Sequence, residues 1–204
     1  MQNIKNIIFD LGGIFLEVDY LKTDQAFINL GISNFDNLFA HNHAAPLFEL
    51  LETGKVTPQE FYGLFRQVSD TNLTDGQIRD AWNTMLGNFY VDALEWLQLV
   101  KERYNIYLFS NTNQIHQDAF TQTYKVQTGQ DDFDTNFIKA YYSHTLGQRK
   151  PNPASFKAIL DEQNLIAAET VFIDDSPKNV QGAIEAGLQG IFLPPPKRLV
   201  ELVF

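Results

Sequence analysis

The sequence predicts an α/β fold: a doubly wound parallel sheet with a helical cap domain inserted after the first strand. Three observations predict it. Short apolar runs, each stopping at a polar or glycine-rich joint, alternate with helical stripes from about residue 91 onward. These runs lack the in-and-out alternation of half-exposed strands, which suits parallel strands covered on both faces. The stretch from Asp19 to Phe89 interrupts the alternation with helical periodicity and no convincing strand, as an inserted helical unit does.

The first strand is read in Ile4, Ile7, Ile8 and Phe9, ending at Asp10 and the flexible pair Gly12 and Gly13. Beyond it, Phe61, Leu64, Phe65 and Val68, then Ile78, Trp82, Met85 and Leu86, recur at helical spacing and mark the cap. Ala93, Trp96, Leu97, Val100 and Tyr104 share one helical face just before the second strand, Asn105 to Phe109, which stops at Ser110. A third strand, Ala140 to Tyr142, stops at Ser143. Asn152 followed by Pro153 is an N-cap with proline in the first turn, opening a helix that offers Phe156, Ile159 and Leu160 to the sheet. The fourth strand, Thr170 to Ile173, meets Asp174. Ser176 and Pro177 repeat the capping device, and Gly187 closes that helix with a residue tolerant of the left-handed region. Gly190 to Leu193 reads as the fifth strand. Residues 1–17 and 91–204 are thereby assigned to the core and 18–90 to the cap.

Composition bounds what such a chain does. Its 204 residues are 44% hydrophobic and 20% charged, enough apolar material for a real core. With no cysteine, disulfides, thiolate metal sites and a cysteine nucleophile are excluded. A net charge of −10 argues against a surface that neutralises nucleic-acid phosphates. The first residues lack a basic stretch and a long apolar core, and no run approaches the roughly 18 apolar residues of a membrane helix. The expectation is a soluble, cytoplasmic protein, monomeric or weakly homodimeric, without nucleic-acid or membrane partners.

In an open parallel sheet, ligands bind beyond the carboxyl ends of the strands. This chain puts its polar residues there: Asp10 after the first strand, Ser110 and Asn111 after the second, Lys150 in the loop after the third, Asp174 and Asp175 after the fourth. Carboxylates, a hydroxyl, an amide and a lysine converging on one edge suit Mg²⁺ and a phosphoryl group. Mg²⁺ takes oxygen ligands, and Asp10, Asp174, Asp175 and the Gly12 carbonyl can supply them. Lysine and hydroxyl donors spread the charge of a transferring phosphoryl group. A carboxylate such as Asp10 can attack phosphorus and divide a hard hydrolysis into two steps.

The ordered segments IIFDLGGI, LFSNTN, RKPNP and FIDDSPKN resemble the four successive motifs of the haloacid dehalogenase-like hydrolases, whose Rossmann-like core and helical C1 cap the rest of the chain also resembles. The resemblance implies a Mg²⁺-dependent phosphatase acting on a small phosphorylated metabolite. It assigns Asp10 as nucleophile, Ser110 and Lys150 to the phosphoryl oxygens, Asp175 as direct metal ligand and Asp174 as a support acting through water; Asn111, beside Ser110, is read as a further substrate-binding residue. The segments DLGGI, SNTNQIH, TLGQRKP and ETVFIDDSPKNVQGA are similar to bacterial α-D-glucose-1-phosphate phosphatases, which points to a hexose 1-phosphate. One position departs from the family pattern. Phosphatases of this kind usually carry a second aspartate two residues after the nucleophile; here that residue is Gly12, which has no proton to give. General acid–base help is worth about 10²–10⁴-fold, so the departure favours leaving groups that need little protonation, such as an anomeric oxygen.

Plainer roles compete at each position. Asp174 and Asp175 suit the positive end of a helix, although Ser176 is available as its cap. Lysines are mostly solvated, and that is the expectation for Arg149 beside Lys150. His41 and His43 do not share a helical face, so a metal site there is disfavoured. His116 lies close enough to the second motif to approach the pocket, but a structural role is the simpler reading. Tyr141 and Tyr142 are expected to pack on the sheet, and Leu199, Val200, Leu202, Val203 and Phe204 on the core. Two other functions stay open: a metal-independent 2-haloacid dehalogenase, and a non-catalytic binding protein on the same scaffold. The paired acids Asp174 and Asp175 count against the first, and Gly12 motivates the second.

Overall fold

The computed structural model describes residues 3–32 and 46–202, together with the backbone of 39–40 and 43–44. In chain order its elements are β1 (Asn6–Phe9), β2 (Leu16–Val18), α1 (Tyr20–Asn29), β3 (Phe39–Ala40), β4 (His43–Ala44), α2 (Pro46–Glu52), α3 (Pro58–Ser69), α4 (Asp75–Asn83) and β5 (Leu86–Phe89). There follow α5 (Val91–Val100), β6 (Asn105–Ser110), α6 (Gln114–Thr128), β7 (Lys139–Tyr142), α7 (Ser143–Leu146), α8 (Pro153–Gln163), β8 (Thr170–Asp174), α9 (Pro177–Glu185) and β9 (Gln189–Phe192).

Five strands form one sheet in the order β7-β6-β1-β8-β9, and every pairing is parallel. Because side chains alternate along a strand, each strand feeds two cores. Ile7, Phe9, Ile106, Leu108, Val171 and Ile173 pack on one face with Ala93 and Leu97 of α5 and Phe120 of α6. Ile8, Tyr107, Phe109 and Phe172 pack on the other with Phe156 and Ile159 of α8 and Ala183 of α9. Burial on both faces explains why the strands read as continuous apolar runs. Tyr141 and Tyr142 are buried as expected.

The segment between β2 and β5 builds a third core of its own, joining Phe27 of α1, Phe48 and Leu51 of α2, Phe61 and Phe65 of α3, and Ile78 and Trp82 of α4. Its helices have strong starts. Thr57 and Thr74 each close a capping box, with Glu60 and Gln77 reaching back to the cap backbone. The expectation of no strand between Asp19 and Phe89 is corrected: β5 pairs antiparallel with β2, and β3 with β4. Leu86 belongs to β5 rather than to the preceding helix, which ends at Asn83. The β2–β5 ribbon carries the chain out of the parallel sheet and back.

At the C-terminus, Leu199 is buried and Leu202 packs against the first core, whereas Val200 is exposed, contrary to expectation. Val203, Phe204 and His41 lie outside the described residues, and for His43 only the backbone is described. Among the described residues no helix is long and apolar enough to cross a membrane.

Candidate active site

Asp10 follows the last residue of the central strand, and its backbone N–H donates to the Ile173 carbonyl at 2.9 Å, extending the ladder to β8. Since β1 lies between β6 and β8, the sheet places Ser110 on one side of Asp10 and Asp174 on the other. Lys150 arrives from the loop between α7 and α8. Its ammonium lies 2.7 Å from Asp10 Oδ1 and 2.8 Å from Asp174 Oδ2. It is 1% exposed, with the rings of Phe109 and Phe172 at 5.4 and 5.1 Å.

The lysine is held from several directions. Asn111 Nδ2 donates to the Lys150 carbonyl and Asn111 Oδ1 accepts from the Lys150 N–H, both at 2.9 Å. The amide expected to bind substrate is thus committed to holding the lysine's backbone. Helix α9 approaches closely behind: a Cβ at Gly182 would sit 1.9 Å from the Pro151 carbonyl oxygen. Asp174 is fully buried and spends its oxygens on Lys150, on the Ser176 N–H at 2.7 Å and on Asn179 Nδ2 at 3.0 Å. The expectation that Ser176 caps α9 with its side chain is corrected: its hydroxyl makes no capping bond, and the Asp174 carboxylate takes the Ser176 N–H instead.

Asp10, Asp174 and Asp175 each bring a carboxylate oxygen within 4.8 Å of the others. Burial, then the charge of Asp174, raises the Asp10 carboxyl above the usual carboxylate range, against the opposing pull of Lys150. The same two causes push Asp175 up to about 6. One ammonium does not balance three acids, and a hard divalent cation among their oxygens removes the excess repulsion. The turn after β1 makes room for one of these carboxylates. Gly13 adopts φ +71°, and a Cβ there would fall 2.1 Å from Asp175 Oδ2. These residues fit Mg²⁺. A Cβ at Gly12 would meet only Val18 Cγ2, at 3.2 Å, so the position tolerates a side chain after a small adjustment.

Asp10, Gly12, Ser110, Asn111, Lys150 and Asp175 line one cavity of about 1160 Å³, while Asp174 lies behind its wall. The sequence reading missed several of the other lining residues. Tyr20 enters from the start of α1, and Glu52 from the end of α2, through contacts that no local sequence signal marks. Arg149, expected to be solvated, pairs with Glu52 at 3.0 Å across the joint between the helical layer and the sheet. His116 is buried against Trp82, ring centroids 4.9 Å apart, and burial lowers its pKa to about 3.

This sheet, with its acids and lysine at the carboxyl ends of the strands, is matched by the family model of the haloacid dehalogenase-like hydrolases over residues 4–187, and the chain belongs to that family. Among individual relatives, it is 30% identical to the D-ribitol-5-phosphate phosphatase of Bacteroides thetaiotaomicron, over 91% of this chain and 90% of that one. It is 28% identical to the sesquiterpene phosphatase astK of Aspergillus oryzae, over 93% and 89%. A family enzyme of Bacteroides thetaiotaomicron, solved in complex with magnesium and inorganic phosphate, superimposes with a TM-score of 0.89 at 31% identity, covering 98% of this chain and 100% of that one.

Proposed function

We propose that the chain is a Mg²⁺-dependent phosphatase that hydrolyses the phosphomonoester of a small phosphorylated metabolite, with a hexose 1-phosphate as the favoured substrate. The observation that carries this reading is the buried Lys150 ammonium shared by Asp10 and Asp174, with Asp175 completing the acidic cluster. A metal-independent dehalogenase has no use for so many acids facing an anionic substrate. The relatives that hydrolyse phosphate esters support the same class.

In this mechanism Asp10 attacks phosphorus opposite the leaving oxygen. The P–O bond to the leaving group breaks, its electron pair stays on that oxygen, and an aspartyl-phosphate remains on Asp10. Water then attacks phosphorus, releasing inorganic phosphate and restoring the carboxylate. Lys150 sets its positive charge against the phosphoryl oxygens, and the buried Ser110 hydroxyl at the end of β6 donates to one of them. Bound Mg²⁺ supplies further charge stabilisation to these oxygens. Asn111 and Asp174 position the lysine. Because Gly12 offers no proton, an anomeric oxygen is a better leaving group than a simple alkoxide. The helical layer of residues 18–90 acts as a cap that covers the substrate, with 1–17 and 91–204 as the catalytic core.

The test is phosphate release from sugar 1-phosphates, terminal sugar and polyol phosphates, nucleotides and acyl phosphates, each with Mg²⁺ and with excess chelator. Release that requires Mg²⁺ and is fastest with hexose 1-phosphates is expected. Fastest release from terminal phosphates would overturn the anomeric preference alone; turnover of a 2-haloacid in chelator would overturn the phosphatase reading.

A further inference from the structure

Gln148 Oε1, Arg149 Nε and His116 Nε2 are buried on the wall of the active-site cavity, and none has a hydrogen-bonding partner among the described residues. Buried polar atoms are paired in the great majority of cases, so these are candidates for pairing with a ligand. Glu52 Oε2 lies 3.0 Å from Arg149 Nη2 as an ion pair, which still leaves the Arg149 Nε–H without an acceptor. Gln148 and Arg149 directly precede Lys150, whose ammonium touches Asp10, and all three line the same cavity.

The chemistry of the three atoms defines what they can receive. One is an acceptor, one is a donor, and the third, a neutral imidazole nitrogen, takes either part according to its tautomer. Hydroxyl groups both donate and accept, so a polyhydroxylated chain or ring satisfies all three. An apolar alcohol leaves every one of them unpaired and desolvated. The Trp82 ring beside His116 adds an apolar surface for the C–H face of a sugar or polyol.

We infer that Gln148, Arg149 and His116, with Glu52 holding Arg149, form a leaving-group subsite for a polyhydroxylated moiety, selecting against apolar alcohols. The inference rests on the phosphatase reading and specifies the chemistry of the group that leaves.

The experiment compares a hexitol monophosphate and hexyl phosphate, which share a primary alkoxide leaving group, with p-nitrophenyl phosphate as reference, all with Mg²⁺. The hexitol monophosphate is expected to exceed hexyl phosphate in kcat/KM by at least ~100-fold, as sites built to bind hydroxyls do. Gln148→Leu should shrink the hexitol-to-hexyl ratio by about tenfold or more, chiefly through KM. Hexyl phosphate within about threefold of the hexitol monophosphate, with p-nitrophenyl phosphate still hydrolysed, would overturn the subsite. So would an unchanged ratio in a Gln148→Leu protein whose circular dichroism matches wild type. No release from any compound, p-nitrophenyl phosphate included, would instead overturn the phosphatase reading and this inference with it.

Discussion

Lys150 governs the charge balance of the site, because its buried ammonium is the cation that Asp10 and Asp174 share. Removing one member of a buried charge cluster leaves the others uncompensated, at a cost of about 3–5 kcal/mol. Lys150→Met is expected to lose unfolding free energy of that order in chelator and to regain more from Mg²⁺ than wild type does. Denaturant unfolding with and without Mg²⁺ measures both, and equal Mg²⁺ stabilisation of the two proteins would contradict the account. His116 gives a second test at this scale. Burial holds it at about 3 in the native state, against 6.5 for a free imidazole, so the unfolded chain binds the extra proton between those values. Its contribution to stability is therefore present above pH 6.5 and lost as pH falls. From pH 7 to pH 5, unfolding free energy should fall by about 2 kcal/mol more in wild type than in His116→Phe. A pH-independent difference between the two would refute the assignment of a neutral buried ring. Asp10, Ser110, Lys150, Asp174 and Asp175 were legible in the sequence because each stands at the end of an apolar run or in the loop beyond one. The work of Asn111 and the Glu52–Arg149 pair was not legible, because both depend on contacts between segments distant in the chain.

Among the elements, the turn after β1 is tightly constrained. Its left-handed Gly13 lies where any Cβ would collide with the Asp175 carboxylate. Gly13→Ala is expected to displace Asp175 and raise the Mg²⁺ concentration needed for half-maximal phosphatase activity by about tenfold or more, in keeping with the 10–100-fold losses seen when the surroundings of metal ligands are disturbed. An unchanged Mg²⁺ titration would show that the turn does not shape the cation site. The helices of 18–90 announced themselves through apolar stripes, and α8 and α9 through their opening prolines. Strand β5 did not, since Gly87 and Asn88 are poor strand formers and Leu86 continues the helical spacing of Ile78 and Trp82. Its pairing with β2 overrides that local preference. Helix α6 was also unread, because its sequence is mostly polar and its start rests on the Asn113 side chain accepting the His116 N–H.

On the scale of the whole molecule, the alternation of strand and helix fixed the fold class but left the sheet order open. The observed order puts β1 in the centre, and that placement brings acids separated by more than 160 residues into one cluster. Residues 17–90 carry 10 acidic and 4 basic side chains, so −6 of the chain's −10 lies in that segment. Attraction of a phosphorylated substrate beneath it would rest on lysines of the cavity lining, Lys150, Lys178 and Lys197, and on a cation among the acids. Everything proposed for catalysis depends on phosphorus becoming bonded to Asp10. Rapid acid quench under enzyme excess, with a phosphate-labelled substrate and peptide mapping, tests this directly. The account predicts transient label on the peptide bearing Asp10, appearing before free phosphate and absent in Asp10→Asn. Label on another residue, or phosphate release with no labelled protein at any time, would contradict it.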